Sequence, residues 1–243
     1  MRDYQRETEQ RVAFIRRILD EAQAAGIVYG NSGGKDSALV GILCKMACEH
    51  TLGVMMPCGS KRNYEADMED ALLVAQQFGI ACRTVDLSAV RAAMLAALGE
   101  SLSPAAVANL APRLRMAALY AVAANEGRLV VGTGNRSEGY MGYFTKWGDG
   151  AFDLNPIGDL TVTEIYQFLR YLGAPAGIIE KAPSAGLFDG QTDECEMGIS
   201  YATIDAFLLD GYANRQDKAV MNRFHQASEH KRRPVAVFGA EAG

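Results

Sequence analysis

Nowhere does this chain hold the run of roughly 18 apolar residues that a membrane-spanning helix needs, so no such helix is expected. Its polar start, Met1-Arg2-Asp3-Tyr4-Gln5-Arg6-Glu7, lacks the apolar core of a signal peptide. Positive charge is scarce: 24 Lys and Arg against 29 Asp and Glu leave a net charge of -5. That balance argues against a nucleic-acid-binding face, though not against a local basic pocket. The cysteines number 5, an odd count with no C-x-x-C pair. This reads as a reducing cytoplasm rather than a disulfide framework. Cys44 and Cys48 stand four apart on a helix-like stretch and read as small core residues in preference to a metal pair. Histidines number 3, and His50 and His225 are isolated, which favours structural roles for both. With no internal repeat and no low-complexity linker, residues 1–243 are read as one domain.

What is present is an alternation of strands and helices. Val12, Ile15, Ile18, Leu19 and Ala22 recur at helical spacing over 4–24. Strand-like runs follow at 27–30, 51–56, 81–86 and 128–132. Helical stretches lie between them at 36–49, 63–78, 88–98 and 104–126. Ser103-Pro104 is a helix start, and Gly79 and Gly127 stand where helices should stop. This order predicts an α/β fold, a doubly wound parallel sheet with helices on both faces. Further helices are expected at 161–171, near 200–210 and at 214–229. Residues 133–160 read as a long irregular loop, and 183–198 as a Gly-rich, acidic and mobile segment.

The most specific signal is Gly30-Asn31-Ser32-Gly33-Gly34-Lys35-Asp36-Ser37, set between the apolar run Ile27-Val28-Tyr29 and the helix beginning near Ala38. A strand, a Gly- and Ser-rich turn and a helix together make a phosphate cradle. The glycines admit an anion to the backbone, and the helix N-terminus points its N–H groups and dipole at it. The spacing is not that of the common G-x-x-x-x-G-K-[ST] loop. In a parallel sheet, ligands bind beyond the carboxyl ends of the strands. The loop at 30–37 and the loop after the fourth strand should therefore meet.

That second loop reads Gly132-Thr133-Gly134-Asn135-Arg136-Ser137-Glu138, then Phe144-Thr145-Lys146-Trp147-Gly148-Asp149, then Asp153. The first loop resembles the pyrophosphate loop of the ATP pyrophosphatase superfamily. With the second loop added, the chain resembles the ammonia-dependent NAD synthetase family. Asn109-Leu-Ala-Pro-Arg113-Leu-Arg-Met116, Pro183-Ser184-Ala185, Gln191-Thr-Asp-Glu194 and Glu229-His230-Lys231-Arg232 match further pieces in the right order, over roughly residues 10–235. The resemblance implies the adenine nucleotide alpha hydrolase-like, Rossmann-like three-layer sandwich. It also implies ATP-dependent amidation of deamido-NAD by ammonia, giving NAD, AMP and pyrophosphate through an adenylate.

By that resemblance, Gly30, Ser32, Gly33, Gly34, Lys35, Asp36 and Ser37 hold ATP, with Thr133 and Ser184, either of which also reads as an ordinary turn hydroxyl. Asp36 and Glu138 match the family's Mg²⁺ ligands, and a carboxylate pair beside phosphates suits that ion. Arg113, Lys146, Asp153, His230 and Lys231 match the deamido-NAD positions; a solvated helix face for Arg113 and a basic tail for His230-Lys231 are the plainer alternatives. Asp149 is a third carboxylate of the reactive region, counted with Asp36 and Glu138 as catalytic, with ammonia handling as one possible role. Tyr29, Tyr143, Phe144 and Trp147 are open to ring stacking or to core packing. A homodimer, a cytoplasmic setting and free ammonia or a separate glutaminase as nitrogen source are implied in the same way.

Two positions depart from the family pattern, the lesser being Met55, where some members have an arginine two residues before the Pro57 position. Val162 stands where many members carry a lysine on the ATP phosphates, and Lys35, Lys61 or Lys181 are the candidates to replace it. Two rivals follow. A tRNA-thiolating relative would want a cysteine pair and a basic face, and neither is apparent. A nucleotide-binding regulator that has lost turnover would take Val162 as its lesion, and the presence of both Asp36 and Glu138 weighs against it.

Overall fold

The computed structural model describes residues 2–59, 66–99, 101–180 and 193–239. The strand-like runs form β1 (Gly26–Gly30), β2 (Thr51–Met55), β3 (Ala81–Thr84) and β4 (Arg128–Val131). They pair in parallel in the order β3-β2-β1-β4. The chain steps outward from β1 to β3, then crosses back to lay β4 on the other side of β1. The switch point of the sheet therefore falls between β1 and β4, where a crevice opens in such folds.

Around the sheet lie α1 (Tyr4–Ala22), α2 (Lys35–Ala47), α3 (Ala66–Phe78), α4 (Ser88–Leu98), α5 (Pro104–Ala108) and α6 (Leu110–Glu126). After β4 come α7 (Arg136–Met141), α8 (Val162–Tyr171), α9 (Ala176–Glu180), α10 (Asp193–Met197), α11 (Tyr201–Asp210), α12 (Arg215–Ala227) and α13 (Glu229–Arg232). Side chains alternate across a strand, and β1 uses both faces. Ile27 and Tyr29 join a core with Ile15 of α1, Leu39 and Leu43 of α2 and Phe168 of α8. Val28 turns to the opposite core, with Leu52, Val54 and Val130 against Met116, Leu119 and Ala123 of α6. A third cluster joins Met141 and Val162 to Met197, Ile204 and Met221, so α7, α8 and the C-terminal helices pack as a group.

Tyr29 is fully buried, and its hydroxyl has no hydrogen-bond partner among the described residues. The ring fits because its neighbours lack side chains: a Cβ at Gly41 would stand 2.2 Å from the hydroxyl oxygen, and one at Gly53 3.0 Å. At the other end of the core, α1 is tied down by charge. Arg11 donates to both carboxylate oxygens of Asp159 at 2.6 and 2.8 Å, and Arg2 to Glu164 at 2.7 Å.

The expected helix over 104–126 is broken. Asn109 ends α5 and precedes α6, because Pro112 has no N–H to donate and its ring clashes with the carbonyl four residues earlier in an unbroken helix. The stretch 133–160 is not wholly irregular, since it contains α7. Asn135 and Glu138 form a capping box there, a pairing written in the sequence as N-x-x-E. Of the segment read as mobile, 183–192 lies outside the described residues, and the rest includes α10.

Candidate active site

The phosphate loop is built as its sequence requires. Gly33 takes a left-handed backbone, φ +73, and a Cβ there would fall 2.1 Å from the carbonyl oxygen of Asp67. Gly34 precedes the first turn of α2, and no side chain caps that turn. The first N–H groups of α2 are therefore left for an anion. Ser32 and Ser37 brace the turn: their hydroxyl oxygens lie 3.1 Å apart, and Ser37 donates to the Gly34 carbonyl at 3.0 Å. Asn31, buried, donates to the Ala71 carbonyl at 3.2 Å and fastens the loop to α3.

Beyond this loop opens a cavity of about 690 Å³, walled also by the ends of β2 and β4, by α6, and by residues of 141–149 and 224–231. Asp36 and Glu138 share it. Asp36 comes from the first turn of α2 and Glu138 from the first turn of α7, where a helix N-terminus favours a carboxylate. Asn135 links them, donating from its amide nitrogen to Asp36 Oδ1 at 3.2 Å and from its backbone N–H to Glu138 Oε2 at 3.0 Å. Burial, then the charge of Asp36, pushes the Glu138 carboxyl up to about 8.

Lys35 is not a free reach into the cavity. Its buried ammonium donates to Asp36 Oδ2 at 2.6 Å and lies 5.9 and 5.8 Å from the ring centres of Tyr166 and Tyr201. Burial opposes its charge, but the Asp36 and Glu138 carboxylates outweigh burial and hold its pKa above the ordinary lysine value. Behind it, Tyr201 donates to the buried Asp193 at 3.0 Å.

The facing wall carries a second charged group. Asp149 accepts the Thr145 N–H at 2.9 Å and opens onto the cavity. Enclosing protein raises its pKa, against the pull of that N–H and of the Lys231 and Arg115 charges. Lys231 donates to the carbonyls of Gly142 and Phe144 at 2.8 and 2.7 Å, and burial lowers its pKa. Arg115 donates to the Met56 carbonyl at 3.0 Å, its pKa also lowered by burial. The cavity thus brings the backbone donors, Asp36, Glu138 and Lys35 together with Lys231, Arg115 and Asp149, and Asp67, Asp193 and Glu196 also line it.

A family profile described as NAD synthase matches residues 7–235. The chain belongs to the NAD synthase family. The NH(3)-dependent NAD(+) synthetase of Carboxydothermus hydrogenoformans is 46% identical over 236 residues, covering 95% of this chain and 96% of that one. The enzyme of that name from Archaeoglobus fulgidus is 43% identical over 242 residues, covering 96% and 97%. Among solved structures, the NMN synthetase of Francisella tularensis superposes with a TM-score of 0.93 at 35% identity, covering 99% of this chain and 100% of that one. The NH3-dependent NAD synthetase of Campylobacter jejuni, in complex with nitrate, gives 0.81 at 31% identity, covering 98% and 100%.

Against the positions that family resemblance singles out, the structure gathers some and separates others. Gly30, Ser32, Gly34, Lys35, Asp36, Ser37, Thr133, Glu138, Asp149 and Lys231 line the cavity. Gly33 supports the loop from behind, against α3. Arg113, Lys146, Asp153 and His230 are not in its wall. Arg113 is exposed, donating to the Lys146 carbonyl at 3.3 Å, and Lys146 donates to the carbonyl of the exposed His230 at 2.8 Å. Asp153 accepts from the Val130 N–H at 2.7 Å and the Tyr120 hydroxyl at 3.1 Å on the outer side of β4. Ser184, Lys61 and Lys181 lie outside the described residues. Tyr143 and Phe144 face the cavity, Tyr29 is core, and Trp147 is exposed. Val162 is buried in the third cluster rather than at the cavity. Sequence reading gave no role to the half-buried Arg115 or to Asn135 and Asp193, both buried, all near or in the site. The R-x-R spacing on α6 and the N-x-x-E box were the signals available.

Proposed function

We propose that this chain amidates a nicotinate nucleotide with ammonia at the expense of ATP, deamido-NAD being the first reading of the substrate. The observation that carries this is the convergence of Asp36 and Glu138 at an uncapped helix N-terminus built for phosphate. Adenylation brings two anions together, so their charge must be balanced by N–H donors and cations. The α2 N–H groups and the loop hydroxyls take the triphosphate. Lys231 and Arg115, opposite, draw the acyl substrate's negative groups. The cavity limits water at the activated carbonyl, and Asp149 stands where an incoming ammonium could give up its proton.

Mg²⁺ fits this donor set. Asp36 and Glu138 are hard oxygen ligands, and two carboxylates leave the remaining positions to phosphate and water. When bound, the ion would neutralise charge developing on the triphosphate. A homodimer is part of the same proposal: Arg113, Lys146, Asp153 and His230 lie outside the cavity wall, where a second copy would bring a dinucleotide's far half against them. A cytoplasmic location and a separate glutaminase as ammonia source belong to the same proposal. No helix among the described residues is long and apolar enough to cross a membrane.

One observation favours a smaller substrate: the superposition on an NMN synthetase at a TM-score of 0.93, against 0.81 for a named NAD synthetase. A mononucleotide needs none of the four outer residues. The deciding experiment measures AMP and pyrophosphate release with ATP and Mg²⁺, offering deamido-NAD or nicotinate mononucleotide, with ammonium or glutamine. Higher kcat/KM for the dinucleotide with ammonium supports the first reading, and the reverse preference moves the assignment to the mononucleotide. No release with either would overturn amidation.

A further inference from the structure

Asn135 is almost fully buried, and two of its polar groups donate to the two cavity carboxylates while a third accepts the Glu138 backbone N–H. Its backbone N–H donates to Glu138 Oε2 at 3.0 Å, and its side-chain oxygen accepts the Glu138 N–H at 3.0 Å. Its amide nitrogen donates to Asp36 Oδ1 at 3.2 Å. The other oxygen of Asp36 is held by Lys35 at 2.6 Å. Both carboxylates are therefore fixed in place before any ligand arrives, and one side chain spans the gap between α2 and α7.

Helix capping alone does not account for an amide here. Serine, threonine and aspartate cap an N-terminus about as well as asparagine. Only the carboxamide carries an acceptor for the cap and a separate donor on a different atom, aimed at a second acceptor. An aspartate would instead set a third negative charge against Asp36. A capping hydroxyl can still donate, as Thr161 does to Glu164 at 3.2 Å, but from the same short oxygen that takes the cap N–H, which serves its own turn rather than the gap to α2.

We infer that Asn135 is a positioning residue, which sets the separation and aim of Asp36 and Glu138 so that together they receive a divalent cation. This rests on the metal reading given above and adds a residue to it. Groups that orient ligands from behind typically contribute a factor of about 10–100 in metal affinity.

The test uses the full chain with Asn135→Ser, which keeps the cap and removes the amide donor. Mn²⁺ binding in the presence of ATP is followed by the loss of the free-ion electron paramagnetic resonance signal, alongside urea unfolding of the same samples. The expected result is an Mn²⁺ dissociation constant raised about 10–100-fold, with an unfolding midpoint close to that of the parent chain. Asn135→Thr, also a capping residue, must show the same loss, and it serves if the serine variant is poorly folded. Parent-like Mn²⁺ affinity in these variants overturns the role of Asn135 alone. A parent chain that binds no Mn²⁺ with ATP refutes the metal assignment itself, before any variant is compared.

Discussion

Asp205 of α11 accepts the Ser137 hydroxyl on one carboxylate oxygen at 2.5 Å and the Thr163 N–H on the other at 2.7 Å. One buried side chain thereby joins three helices: its own, the start of α8, and the turn of α7 that carries Glu138. Asp205→Ala leaves the buried Ser137 hydroxyl and the part-buried Thr163 N–H without their acceptor. Hydrogen bonds to a charged group are worth about 1.5–3 kcal/mol each, and stranded donors add cost. A loss of about 3 kcal/mol in urea unfolding is expected. A loss under about 1 kcal/mol would show that the carboxylate is dispensable.

Tyr29 presents the opposite case, a buried hydroxyl with no partner among the described residues. Tyr29→Phe should raise unfolding stability by about 1 kcal/mol, since the polar group is buried without return. Gly41→Ala should lower it by about 1–3 kcal/mol, because the new Cβ stands 2.2 Å from that hydroxyl. In the double variant part of this loss should return, giving a coupling above about 0.5 kcal/mol. Additive effects would mean that the ring moves aside at no cost.

The pH response of α1 anchoring follows from Asp159. Burial pushes its carboxyl up, but the hydrogen bond and charge of Arg11, with the charge of Arg2, outweigh this and hold it below the ordinary value. A carboxyl held low stabilises the fold above its unfolded pKa, near about 3.9. That stability is lost as pH falls through the folded value. Asp159 is half-exposed, so solvent screening keeps the effect under about 1 kcal/mol. Urea midpoints at pH 6 and pH 3, as test conditions, should differ less in Asp159→Asn than in the parent. Equal differences would remove Asp159 from the acid response.

Val162 tests the departure from the family pattern. It is 3% exposed among Met141, Met197, Tyr201 and Ile204. Val162→Lys should destabilise by about 2 kcal/mol or more, since its ammonium has apolar neighbours. Pyrophosphate release at saturating ATP should not rise. A faster, equally stable variant would show that the position reaches the phosphates and that Lys35 does not replace it.

The strands were legible almost to the residue: β1, β2 and β4 are short apolar runs, and the half-polar Ala81–Thr84 follows the helix stop at Gly79. The meeting of the two loops followed from parallel order alone, and Asn135 on Asp36 is its outcome. Less legible was what depends on a single atom. Pro112 stops one helix and permits the next, and periodicity over 104–126 does not register a missing N–H. Arg115 and Arg113 are two apart on the same helix, so they face different ways. The family motif drew attention to the exposed one, while the half-buried one reaches the cavity. The surface positions Arg113, Lys146, Asp153 and His230 carry family meaning that one chain does not gather into a site.

The strand order has a consequence for synthesis. β1 carries the phosphate loop, yet one of its two neighbours, β4, pairs Gly26 with Arg128 across the register. A ribosome adding about 5–20 residues each second needs roughly 5–20 s to deliver that partner. During that interval β1 has an open edge and an apolar run, the kind of surface that chaperones cover. The nucleotide site therefore cannot mature early in translation. Nascent chains arrested before residue 128 should bind no ATP, however complete their phosphate loop.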